Sequence, residues 1–269
     1  MSENPAFPIV HLPVLLQPGV LDSALPLERT IVSVQITGPL ASVVINQHFA
    51  NPIKEAAELD YLFPLPEEAA VTGFEMRIGS RRILGDLQES EAARSAYEEA
   101  REQGKRSGLF EQRRPNLFAV RLANILPGEG IAASIRYQQR VTFADGEYEF
   151  VFPMGLTPKY VRPENPQEGK GTHAPFAKSD EKIGSLELQV TVDAGLPAGD
   201  PTSPSHNLEI TRSDERRFHL RLAGENIPDH DFVLRYPLAE EQVTAAGWTS
   251  GEAGKEFFLA TVVPPRMEG

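Results

Sequence analysis

The sequence predicts a mainly β fold with one embedded helix, on three observations. Apolar and polar residues alternate with period two through most of the chain, as in Val32-Ser33-Val34-Gln35-Ile36-Thr37 and again from Leu186 to Val192. Turn dipeptides such as Gly38-Pro39, Gly79-Ser80 and Asp145-Gly146 separate these runs. A single stretch, 90–103, carries apolar residues at helical spacing. Period two places one face of each strand in a core and the other in water, whereas a helix needs a repeat near 3.6.

Taken in order, Val32, Val34 and Ile36 share the apolar face of the first long strand, and Gly38-Pro39 turns the chain. Leu40 to Phe49 follows, with Val43, Ile45 and Phe49 on one side. Leu59 to Phe63 is stopped by Pro64 and Pro66. Val71 to Ile78 and Arg81 to Leu87 flank Gly79-Ser80, a two-residue link with hairpin chemistry. In 90–103, Ser90 suits an N-cap, Gly104 suits the position after the helix, and Ala93, Tyr97 and Ala100 form a narrow stripe. So short a helix must lie on the sheet, anchored by Tyr97. Ile131, Ala133, Ile135, Tyr137, Val141 and Phe143 then make the cleanest strand, interrupted by Gln139. Asp145-Gly146 turns it into Tyr148, Phe150 and Phe152.

Between Pro153 and Gly184 no apolar period survives, and Pro158, Pro163, Pro166 and Pro175 point to a connector. Alternation resumes in Leu186 to Val192, Leu208 to Ile210, Phe218 to Leu222, Phe232 to Tyr236 and Phe257 to Val263. The expected organisation is a first block over 1–157, a connector over 158–182 and a second β-rich block over 183–269. Arg29 to Phe49 could pair with the second block, and alternation does not decide whether the blocks share a sheet. Unpaired edges invite association with other chains, although no feature of the sequence supports a homo-oligomer.

Composition narrows the function. With 269 residues, 41% of them apolar, the chain can bury a core. Zero cysteines exclude disulfide scaffolds, thiolate metal sites and thiol nucleophiles. A net charge of −12 argues against nucleic-acid binding, which needs basic surface to displace counterions. Near Ile9 to Val20, Pro13 and Pro18 break the longest apolar stretch, so no membrane insertion is expected. The start Met1-Ser2-Glu3-Asn4 lacks the basic opening of a secretory signal. A cytoplasmic location is expected if the chain is complete, and an extracytoplasmic one if a leader has been removed.

Catalytic and metal motifs are missing. There is no G-x-S-x-G, H-E-x-x-H or P-loop. Gly128-Glu129-Gly130 precedes a strand, where a dinucleotide site needs a helix, and reads as a turn. Asp229-His230-Asp231 could ligate a metal but fits a loop before the Phe232 strand. The pairs Glu67-Glu68, Glu98-Glu99 and Glu240-Glu241 read as solvated surface rather than a hydrolase's carboxylates. Trp248, Tyr61 and Tyr160 could stack on a sugar, or anchor core and loops. No cofactor, metal or catalytic residue is assigned. One segment is unusual: Glu111, Gln112, Arg113, Arg114 and Asn116 crowd charge and amide around Pro115 just before a strand. It is either an organised corner of the fold or a recognition surface.

Ordered matches then accumulate: Phe49-Ala50-Asn51-Pro52, Phe63-Pro64-Leu65-Pro66-Glu67, Ala70 to Phe74, Ile78-Gly79-Ser80-Arg81, Glu111 to Phe118, Asn124-Ile125-Leu126-Pro127-Gly128-Glu129, and Phe152-Pro153-Met154. Over about 28–160 the chain resembles the VIT domain, the module named for vault protein and inter-alpha-trypsin inhibitor heavy chains. The resemblance implies an antiparallel β-sandwich-like module with one embedded helix. It implies no enzymatic role, but protein interaction and scaffolding. Such modules usually precede a von Willebrand A domain, which binds metal through Asp-x-Ser-x-Ser and serves adhesion or complex assembly. That motif does not occur here, so no metal site carries over. Phe257 to Pro265 looks like the segment leading into such a domain; a parent polypeptide continuing past Gly269 is expected, with a protein that stands alone as the alternative. The expected partner is therefore another protein or an adjacent domain. Carbohydrate binding through exposed aromatics is the alternative, and a hydrolase a more distant one.

Overall fold

The computed structural model describes residues 10–11, 14–16, 25–66, 68–85, 108–114, 117–156, 184–224, 230–238, 244–252 and 255–263. The strands are β1 (Val10–His11), β2 (Val14–Leu16), β3 (Leu27–Thr37), β4 (Leu40–Phe49), β5 (Ala57–Pro64), β6 (Ala70–Ile78), β7 (Arg81–Gly85), β8 (Gly108–Arg114), β9 (Leu117–Ile125) and β10 (Ile131–Arg140). They continue with β11 (Thr142–Ala144), β12 (Glu147–Phe152), β13 (Gly155–Leu156), β14 (Ser185–Asp193), β15 (Leu208–Arg212), β16 (Arg217–Leu222), β17 (Phe232–Pro237), β18 (Thr244–Glu252) and β19 (Lys255–Val263). The fold is mainly β, as the alternation predicts. No helix occurs among the described residues, and the expected helix at 90–103 lies outside them, so that expectation is not borne out.

An eight-stranded sheet runs β15-β16-β14-β3-β4-β10-β6-β7. Every pairing in it is antiparallel except β14 with β3, which is parallel and matches Ser185–Asp193 to Arg29–Thr37 residue by residue. Strands from both halves of the chain thus share one sheet. A second junction pairs β12 with β17, in the three-stranded sheet β11-β12-β17. The alternation that runs to Phe143 hides a change of sheet. After β10 the Val141 amide donates to the Pro39 carbonyl (2.8 Å), and β11 joins the smaller sheet. Gln139, the polar interruption, is buried and donates from Nε2 to the Val151 carbonyl (3.1 Å), tying β10 to β12. The Asp145-Gly146 turn has both residues at positive φ (53° and 81°), as a tight hairpin with right-handed strand twist requires.

Two smaller sheets cover the inner face of the large one. From the four-stranded sheet β2-β5-β9-β8, the Tyr61 ring stands 5.9 Å from Phe49 and 6.2 Å from Phe74, and Phe63 stacks on Phe74 at 6.4 Å. On the other half, Tyr236 of β17 meets Phe218 of β16 edge-on at 5.4 Å. A buried polar chain ties the first pair of sheets. The Tyr61 hydroxyl donates to Gln47 Oε1, and Gln47 Nε2 donates to Thr30 Oγ1 at 3.2 Å. Unpaired, each of these groups would cost on the order of 1–3 kcal/mol.

The outer face is polar. There Glu75 of β6 lies between Arg77 (2.8 Å) and Arg82 of β7 (2.7 Å), with its own side chain only 10% exposed. The bonds from Arg82 and Arg77 hold its carboxyl down to about 2. No helix among the described residues is long and apolar enough to cross a membrane.

Two outcomes follow. A chain ending at residue 157 loses β14 and β16, leaving the edge of β3 unpaired and removing the buried Leu188, Val190, Val192, Phe218 and Leu220. Each fully buried large side chain is worth about 1.5–3 kcal/mol, so the fragment is expected to lack a cooperative thermal transition. A sharp melt would refute the shared-sheet account. Glu75 is depressed in the folded state, so its contribution is complete above the ordinary carboxylate range and is lost as pH falls to about 2. Glu75→Gln is expected to lower Tm at pH 7, and the gap to the parent protein to close between about pH 4.3 and pH 2. A gap unchanged across that window would show that the ion pairs contribute nothing.

Candidate functional site

The best candidate surface is the β18–β19 hairpin, a separate two-stranded sheet in register from Thr244↔Val263 to Glu252↔Lys255. Residues directly opposite in an antiparallel pair share a face. One face therefore carries Thr244, Ala246, Trp248, Leu259, Thr261 and Val263, and the other carries Ala245, Gly247, Thr249, Phe258, Ala260 and Val262.

The first face is seated on the body. Gly38 directly follows β3 and Gly195 lies just past the end of β14, both at positive φ (51° and 72°). A Cβ at Gly38 would lie 2.4 Å from Trp248 Cη2, and one at Gly195 would lie 2.2 Å from Cζ2. The indole therefore rests directly on bare backbone, and any side chain at either position would displace it. The two glycines are brought together by the parallel pair, whose end is closed by the Gly38 amide donating to the Asp193 carbonyl (2.9 Å). Deeper in, the Thr261 side chain is hydrogen-bonded to the Tyr148 phenol, and Val263 is buried.

The second face is not covered by any of the described strands. Phe258 is 73% exposed and Val262 66%, and the Phe258 ring lies across Gly247, where a Cβ would be 3.0 Å from its edge. Phe257, 60% exposed, sits on the docked face beyond the Trp248 contact. An exposed strand face ordinarily carries polar residues. Here five of six outward positions are Ala, Gly, Phe or Val, and contiguous apolar surface of this kind marks an interaction site.

The segment singled out in the sequence is placed only in part. Glu111, Gln112, Arg113 and Arg114 lie on β8, an edge strand, with Glu111↔Ala119, Gln112↔Phe118 and a bulge before Arg114↔Leu117. Their side chains and the whole of Asn116 lie outside the described residues. Tyr61 cannot be a sugar platform, because it is fully buried, and burial raises its phenol well above the ordinary value. Trp248 is anchored on the glycine shelf, and Tyr160 lies outside the described residues. His230 Nε2 donates to the Ser205 carbonyl (2.7 Å), and Asp231 accepts the Met154 amide (3.1 Å); both brace loops. Gly128 takes a turn at φ 69°, and Glu129 accepts Arg81 Nη2 at 2.7 and 2.6 Å and the Leu126 amide at 2.9 Å. Among the described residues no group of three or more His, Asp or Glu is placed to hold a metal.

Sequence reasoning missed β18 and the outward face of β19. A run such as Lys255-Glu256-Phe257-Phe258-Leu259-Ala260 reads as buried strand, and nothing in it shows which side finds a partner. The available signal was apolar residues at both parities, Phe258 and Val262 as well as Phe257, Leu259 and Val263.

Residues 27–137 match the family model described as Vault protein inter-alpha-trypsin domain, which bears out the resemblance read from the sequence. The chain is 27% identical over 215 residues to von Willebrand factor A domain-containing protein 5A of Homo sapiens, covering 78% of this chain and 27% of that protein. It is 26% identical over 222 residues to protein mono-ADP-ribosyltransferase PARP4 of Homo sapiens (80% of this chain, 12% of that one). It is 29% identical over 153 residues to inter-alpha-trypsin inhibitor heavy chain H3 of Rattus norvegicus (55% and 17%). The chain thus spans about a quarter or less of the curated relatives it matches.

Trp248→Ala removes the side chain that seats the hairpin. Truncating a buried Trp costs about 3–5 kcal/mol, and less at a half-buried site. Amide exchange in 244–252 and 255–263 is expected to quicken at least about tenfold while β3 and β14 stay protected. Equal loss of protection in all four strands would show that the hairpin is not a separately docked unit.

Proposed function

We propose that this chain, which carries a vault protein inter-alpha-trypsin domain over residues 27–137, is a non-enzymatic protein-interaction module that seats an adjoining von Willebrand A domain on its β18–β19 hairpin. The single observation behind the proposal is the hairpin's outward face. Phe258, Val262, Ala260, Ala245 and Gly247 expose contiguous apolar surface, while Trp248 and Thr261 fix the opposite face to the body. A rigid, pre-formed surface loses little conformational freedom on docking, which favours a constitutive neighbour over a folding partner. Two further facts support this reading. A relative that matches over 78% of this chain is named for its von Willebrand factor A domain, and the matched segment is a minor part of each relative's length. The part of the charged corner that lies on β8, Glu111 to Arg114, is a second contact in the same proposal. Carbohydrate stacking gains no support, because Tyr61 is buried.

Titration of the chain with a separately produced von Willebrand A domain tests the reading. Saturable binding is expected, weakened at least about tenfold (about 1.4 kcal/mol) by Phe258→Ser with Val262→Ser. Both side chains are exposed, so Tm should move by less than about 3 °C. Binding that is absent, or untouched by the double substitution, would reject the hairpin as the seat.

A further inference from the structure

The eight-stranded sheet ends in β15, whose only neighbour among the described strands is β16. Four of its five residues are exposed, and Ile210 is 41% exposed although it lies on the core-facing side, level with Leu220. Edge strands are usually blunted by a bulge, a proline, a lysine or a covering loop. Strand β8, at the edge of the four-stranded sheet, carries a bulge. Strand β15 pairs with β16 without a register shift and contains neither Pro nor Lys. Its one cation on the core-facing side is turned away: Arg212 donates to the Ala198 and Gly199 carbonyls, bonds Asp200 and lies over the Phe218 ring.

The direction of the free backbone groups follows from two hydrogen bonds that flank the strand. The Ala223 amide donates to Asn207 O (3.0 Å) and the Ser213 amide to Arg217 O (2.9 Å). In an antiparallel ladder, bonded positions alternate, so residues 207, 209, 211 and 213 address β16. The amides and carbonyls of Leu208, Ile210 and Arg212 therefore point out of the sheet.

We infer that β15 pairs antiparallel with β15 of a second copy of this chain, on a two-fold axis at Ile210, joining two eight-stranded sheets into one. This register sets Ile210 against the partner copy's Ile210, Leu208 against Arg212 and Glu209 against Thr211. It uses every outward amide and carbonyl, on the order of six hydrogen bonds. It covers the exposed Ile210 with its own equivalent and faces no like charges. A register centred on Glu209 would instead set two carboxylates face to face, and opposed like charges are destabilising. Within its own copy Glu209 accepts a hydrogen bond from Arg221 (2.7 Å). Two-fold pairing is self-closing, so the edge is capped without a growing fibre.

Sedimentation velocity of the whole chain from about 1 to 200 μM tests this. An interface this small should dissociate in the micromolar range. A concentration-dependent shift from 29.6 kDa towards twice that mass is expected. Ile210→Pro removes an outward amide that makes no bond to β16, so the monomer should stay folded and the dimer should weaken at least about tenfold. Ile210→Lys places two charges on the axis and should do the same with no backbone change. Phe258→Ser should leave the dimer intact, which separates this contact from the hairpin. Since the chain has no cysteine, Ile210→Cys should be captured as a dimer by a short bis-maleimide, and Phe258→Cys should not. A monomer at all concentrations, or a dimer that survives Ile210→Lys, would overturn the inference.

Discussion

The parallel pairing of β3 with β14 is the constraint on which the rest of the molecule depends. Parallel neighbours need a crossover of a dozen or more residues, and both of their faces are ordinarily covered. Here nine consecutive residues of β14 align with Arg29–Thr37. Val190 and Val192 thereby continue the core layer of Val34 and Ile36, all of them buried. The same register brings Gly38 and Gly195 to one end, where the Gly38 amide closes on Asp193. Those glycines are the shelf for Trp248. A slip of one residue would turn the valines to water and separate the two glycines. Core continuity and the seat of the hairpin are thus consequences of one alignment.

This also explains what was legible in the sequence. Alternation reports which side of a strand is buried, and it located most long strands: Val32 to Ile36, Ile131 to Tyr137, Leu188 to Val192 and Phe218 to Leu222 are buried on the expected parity. Turn chemistry was equally readable where it required positive φ, as at Asp145-Gly146. Partner choice was not legible. Strand β14 shows the same clean alternation an antiparallel neighbour would show, because its outer face is solvated despite the parallel pairing. Strand β18 escaped notice because Ala245, Ala246 and Gly247 dilute the period and Trp248 is its one large residue. The charged corner from Glu111 to Asn116 drew attention for its composition. The apolar face of β19 did not, since an exposed phenylalanine and a buried one are identical in a sequence.

The buried chain Tyr61–Gln47–Thr30 plays a different part from the apolar contacts around it. Dispersion between Tyr61, Phe49 and Phe74 tolerates sliding of one sheet over the other. A hydroxyl that must meet Gln47 Oε1, whose own amide must meet Thr30, does not. Misalignment would leave buried groups unpaired, so the network selects one placement of the four-stranded sheet even where its net contribution to stability is small.

The two faces of the β18–β19 hairpin are separable in energy, and this makes the outward face informative. A lone two-stranded hairpin is marginal in water, so its position must come from the face that docks. Trp248 on the glycines, Thr261 on Tyr148 and buried Val263 supply that docking without any help from Phe258 or Val262. Were the outward face merely solvent-facing, alanines, glycine, valine and phenylalanine would be poor occupants, since each large apolar side chain left in water forgoes about 1.5–3 kcal/mol of burial. Packing among the described residues does not recover that energy, and contact with another surface would. On the proposed function the hairpin is half of an interface: its inner half is completed by the body of this chain, and its outer half is the face that the proposed partner would cover.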